Sequence, residues 1–180
     1  MTPLGHASTT YLAARALPFL SVHALLLGGV LPDIDFIFFP FPFFNQIHRV
    51  ATHNVFFITL VAGIGALWVK ENKAKIFFSL LIGGALHLFI DSIKDDNPTN
   101  GLGVAIFWPV SDMMFCPFNL ATPDPTNQGW SNPRLDMAKF VEIICYEGVF
   151  WLTALVVLVN THIKRNKRKY FPGRGERIRS

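Results

Sequence analysis

Two runs of this chain, Asn54 to Val69 and Ile76 to Ile90, contain no Asp, Glu, Lys or Arg. A third, Phe140 to Asn160, is interrupted only by Glu142 and Glu147, and a fourth extends from Leu4 to Ile37 with breaks at Pro18 and Pro32. Four such stretches in 180 residues, with 16% of the chain charged and 18 Phe, leave too few polar side chains to clothe a water-facing surface, since soluble domains carry about 25% charged residues. The expectation is a single-domain, all-α integral membrane bundle.

A full crossing needs about 20 apolar residues. Neither half of the first stretch reaches that length, so it reads as a short helical hairpin, Thr2 to Leu17 and Leu20 to Leu31. The other runs supply about three transmembrane helices. The Phe36 to Phe44 run, with Pro40 and Pro42, cannot be a regular helix interior and reads as an interfacial loop. A long polar loop from Ser92 to Lys139 would lie over the site, with Gly101 and Trp108-Pro109 shaping it. The embedded domain is expected at 1–163 and a basic cytoplasmic tail at 164–180. Met1 to His6 lacks a basic n-region and no A-x-A site follows, so the first apolar segment is expected to stay in the mature protein. Cys116 and Cys145 lack CxxC spacing and suggest neither a disulfide nor a thiolate metal site.

Half of the 16 basic residues lie between Lys164 and Ser180. A run of this kind beside a membrane helix attracts anionic lipid headgroups. Positive-inside topology already accounts for its charge, which disfavours nucleic acid as a partner. If the segments alternate, Arg15, the group Lys70, Lys73 and Lys75, and the tail share one side, the cytoplasm of a cell with an inner or plasma membrane. Asp33, Asp35, His48, His53 and Asp91 then gather on the non-cytoplasmic face, with Asp95, Asp96, Asp112, Asp124 and Asp136. His6 joins them if the first helix starts there.

Ionisable residues in apolar helices are costly and usually functional. His87 and Asp91, four apart, share one helix face and would grip one divalent metal. Asp33 and Asp35 follow a helix across Pro32 and would point to the same place from an irregular segment. His48 and His53 lie about 140° apart on a helix, so both reach one cluster only if that segment is not helical. Arg49 would hold an anionic group such as phosphate. Glu142, near the outer end of the last span, is a candidate ligand, base or supporting carboxylate. Glu147 is deeper and expected to be paired or neutral. His23 reads as a packing residue and His162 as interfacial. Three carboxylates beside a membrane need compensation. Seven N and O ligands without Cys exceed one tetrahedral zinc and suit one or two divalent ions, zinc first, with Mn or Fe as the alternatives.

The segments MTPLGH, GGVLPDID, HRVATHN, GGALHLFID and FWPVSD occur in this order. The chain from Met1 to Asp112 thereby resembles the membrane-bound metal-dependent hydrolase family, which includes a LexA-regulated bacterial inner-membrane protein. That family is distantly similar to zinc-dependent phospholipase C and the single-strand-specific zinc nucleases, all-helical phosphodiesterases with several zinc ions. The resemblance implies metal ligands at His6, at one of Asp33 and Asp35, at one of His48 and His53, at His87, and at Asp91, with the Asp91 carboxylate bridging two metals. A later His-His-Glu set has no counterpart, because no His lies between His87 and His162. The resemblance supplies no substrate; the leading expectation, drawn from the residues as well, is hydrolysis of a phosphoester, on a lipid or lipid-linked substrate, by a metal-activated water with Arg49, Asp35 and Glu142 assisting. No HExxH is present, which disfavours a peptidase. The alternatives are a non-catalytic membrane protein with a structural or sensory metal site and, ranked last, an ion carrier.

Overall fold

The computed structural model describes residues 1–95, 101–120 and the helix 137–170, the last without the side chains of 137–140, 167, 168 and 170. Asp96, Asp124, Asp136 and the tail from 171 onward lie outside the described residues.

The described chain is all-α, with six helices: α1 (Pro3–Ala16), α2 (Val22–Val30), α3 (Phe44–Ile47), α4 (Val55–Trp68), α5 (Lys73–Ile93) and α6 (Met137–Tyr170). A 3₁₀ segment, Leu31–Phe38, follows α2 directly. Local chemistry sets the helix starts. The Thr2 hydroxyl accepts from Gly5 N at 3.1 Å, with Pro3 in the first turn, where its missing N–H costs nothing. Asn54 caps α4 by accepting from Phe57 N at 2.8 Å, while its amide donates to the carbonyls of Val50 and Ala51. The proline-containing Phe run turns through the 3₁₀ segment into α3. Phe38, Phe39, Phe41 and Phe43 stay exposed, while Phe44 is buried.

α2 and α5 run parallel and in register. Ser21 N donates to Ser79 Oγ at 2.9 Å, a side chain at Gly83 would strike the Leu25 carbonyl, and His87 Nδ1 lies 2.9 Å from the Gly29 carbonyl. Each step advances four residues on both helices. Small residues at such an interface let backbones approach closely. On the neighbouring faces, a Cβ at Gly29 would meet Thr10 of α1 and one at Gly84 would meet Ile58 of α4.

α5 (mean hydropathy 1.9, 44% of its apolar window buried) and the Val141–Asn166 portion of α6 (1.9, 6% buried) are long and apolar enough to cross a membrane. Val149, Leu152, Leu155 and Val156 are each more than half exposed, so α6 turns an apolar face outward, as lipid contact would favour and water would not. α4, expected as a span, has 14 residues and extends about 21 Å, short of a bilayer core of about 30 Å. The expected boundary at 163/164 falls inside α6, which continues unbroken to Tyr170.

The expected long loop begins after α5. Its described part, 101–120, folds back on itself through a bridge between Val104 and Phe115. Gly103 permits it: φ is +93°, and a side chain would strike the Phe115 carbonyl. The loop then docks on the segment before α4, with Ala105 N donating to Arg49 O and Val55 N donating to Ile106 O.

Candidate metal centre

Each helix that contributes does so with one end. α5 brings His87 and Asp91 in its last two turns, and the 3₁₀ segment after α2 brings Asp33 and Asp35. The turn before α4 brings His48 and His53, and the first turn of α1 brings His6. All seven are buried.

Four of them form a tight group. His53 Nε2 lies 3.2 Å from His87 Nε2, 3.5 Å from Asp33 Oδ1 and 3.6 Å from Asp91 Oδ2. His87 Nε2 lies 3.6 Å from Asp33 Oδ1 and 3.4 Å from Asp91 Oδ2. These are five of the six edges of a tetrahedron, and the sixth is under 4.8 Å. Ligand atoms about 2.0–2.2 Å from a tetrahedral zinc stand about 3.3–3.6 Å apart. The donor set fits a divalent ion in both spacing and element. Asp33 Oδ2 is buried with no hydrogen-bond partner among the described residues.

The second group, Asp35, His48 and His53, meets the first through the other nitrogen of the His53 ring. Asp35 Oδ2 accepts from Thr52 Oγ1 at 3.1 Å, sits 3.1 Å from His48 Nδ1 and lies 3.9 Å from His53 Nδ1. Burial, reinforced by His87 and His48, pushes the His53 imidazolium well below its ordinary pKa, which keeps the ring neutral, as a metal ligand must be. His6 stacks on His87 with centroids 3.6 Å apart and approaches the other Asp91 oxygen, Oδ1, at 3.1 Å. The Met1 amino group reaches the same oxygen at 2.9 Å. His6 Nδ1 has no hydrogen-bond partner.

Three expected or neglected residues sit elsewhere. Arg49, at φ +65°, forms an ion pair with Asp95, whose other oxygen accepts from Gly103 N at 2.8 Å. Glu142 is largely exposed and pairs with Lys94 at 3.3 Å. Glu147, expected to be deep and either paired or neutral, is buried at 3% exposure and accepts from the Thr2 backbone N at 2.7 Å and from its hydroxyl. It thereby ties α6 to the start of α1, four residues before His6. Its spacing within the last span carried no signal of this contact.

No curated protein and no solved structure matches the chain. A family model described as "YdjM inner membrane protein" matches residues 1–168. With that match over nearly its whole length, the chain belongs to the YdjM inner membrane protein family.

Proposed function

We propose that this protein is a membrane-embedded metal-dependent hydrolase acting on a phosphoester, with its metal centre on the non-cytoplasmic face. The observation that carries the reading is the near-tetrahedral spacing of His53, His87, Asp33 and Asp91. A divalent cation there, zinc first, would polarise a phosphoryl oxygen and lower the pKa of water. Asp33, His53, His87 and Asp91 would hold it. His6 at the far Asp91 oxygen, and Asp35 with His48 at the far His53 nitrogen, would orient those ligands or complete a second site. Arg49, engaged by Asp95, supports the docked loop in this reading, in place of the phosphate contact expected from its position in the sequence. Glu142, exposed beside Lys94, takes no part.

Burial of all four donors favours a second reading, a closed structural metal site, because catalytic centres keep an open position. Metal analysis of the purified full chain, beside a His87→Ala/Asp91→Ala variant, tests the site: equal metal content in both would sink it. Hydrolysis of a chromogenic phosphodiester and of phospholipids then separates the readings. Turnover that disappears in Asp35→Asn while metal is retained supports the hydrolase. Retained metal with no turnover in the native protein supports the structural site.

A further inference from the structure

α1 and α6 run in the same direction. Thr2 meets Glu147 at one end, and at the other Arg15 lines a cleft of about 570 Å³ with Val157, Asn160, Thr161, Lys164 and Arg165. Arg15 stands in the last turn of α1, nearly 150 positions before its neighbours in the cleft, so the fold and not a basic run brings these charges together. None of Arg15, Lys164 and Arg165 has an acidic partner among the described residues. Three cationic side chains thus line one cleft, and Asn160 and Thr161 add an amide and a hydroxyl to its lining. Its α6 wall ends the apolar Val141–Asn166 stretch, the depth at which a spanning helix meets headgroups. Thirteen residues of α1 separate this cleft from the Glu147 contact, about 20 Å at helical rise, so it lies at the opposite end of the helix pair from the His and Asp cluster.

We infer that the Arg15, Lys164 and Arg165 cleft is a binding site for an anionic phosphate headgroup. The site does not depend on the metal centre or on any activity there. Guanidinium groups suit a phosphate through paired N–H donors, and the ammonium of Lys164 adds a third charge. The apolar outer face of α6 beside the cleft would carry the acyl chains, which makes a phospholipid the occupant in the membrane. Free inorganic phosphate shares the headgroup chemistry and is the source to be separated from it.

The test uses the full chain in nanodiscs of zwitterionic phosphatidylcholine doped with phosphatidylglycerol, with retained lipid counted by native mass spectrometry. R15Q/K164Q/R165Q is compared with R174Q/R177Q/R179Q, which removes the same charge from the tail. The cleft variant should lose retention of the anionic lipid by about tenfold or more for each charge-assisted hydrogen bond removed from the headgroup. The tail variant should keep most of it. Millimolar inorganic phosphate should compete weakly if the ligand is a lipid; competition at micromolar phosphate would reassign the same cleft to a free anion. Equal loss in both variants, or no preference for phosphatidylglycerol in the native chain, overturns the site in favour of diffuse attraction by the tail.

Discussion

His53 presents one ring nitrogen to the tetrad and the other to Thr52 and Asp35, with Thr52 Oγ1 at 3.1 Å. That makes it the hinge of the cluster, and His48 an auxiliary. Replacing His53 with Ala should abolish tight metal binding, whereas His48→Ala should weaken it about 10–100-fold, the range for residues that orient a ligand. Competition against a chromogenic chelator measures both, and equal losses would remove the distinction. Glu147 permits a second test at this scale. Glu147→Ala leaves the Thr2 N–H and O–H donors without their acceptor and should cost about 1–3 kcal/mol. Glu147→Gln keeps an acceptor and should recover most of it. Thermal unfolding gives the stability, and metal affinity should fall with it if the clamp positions His6. The residue scale is also where the sequence was only partly readable. His87 and Asp91 are four apart on a helix, so their shared face follows from local geometry. Asp33 against Asp35, and His48 against His53, lie on a 3₁₀ segment and a turn, where no helical period says which member joins the four-residue group. Arg49 and Asp95, or Glu147 and Thr2, meet only through tertiary packing.

At the scale of elements, the α2–α5 register sets the site. Stepping by four residues from Ser21/Ser79 through Leu25/Gly83 brings the Gly29 carbonyl to His87 Nδ1 and so fixes which ring nitrogen faces the cluster. A methyl at Gly83 must push the Leu25 backbone away. Gly83→Ala should therefore cost about 1–3 kcal/mol, as overpacking does, and weaken metal binding through His87. Gly63→Ala in α4, where a Cβ meets nothing within 4 Å, is the matched control. It should be neutral or stabilising by up to about 1 kcal/mol, from helix propensity alone. Thermal unfolding in detergent decides, and indistinguishable midpoints would remove the close-packing argument. The helices themselves were legible because charge-free apolar runs and the breaks at Pro18 and Pro32 mark them, as over Asn54 to Val69 and Ile76 to Ile90. The shortness of α4 was legible too, since Lys70 ends its apolar run after Val69, whereas the docking of loop 101–120 on Arg49 and Val55 was not, since it depends on distant partners.

For the whole molecule, the His and Asp residues collect at one end of the bundle. Lys73 and Lys75 begin α5 at its other end, as Arg15, Lys164 and Arg165 do for the α1–α6 pair. Three buried carboxylates, Asp33, Asp35 and Asp91, crowd the cluster. Before a cation arrives, a phosphoester entering there would meet like charge at low dielectric. In the proposed hydrolase, occupancy would thus be sequential, cation first and anion second, and the two ligands would be thermodynamically linked. A non-hydrolysable phosphoester should raise cation affinity by the same factor by which the cation raises its own. Calorimetric titration in both orders measures the two factors, and phosphoester binding to fully chelated protein at undiminished strength would contradict the linkage.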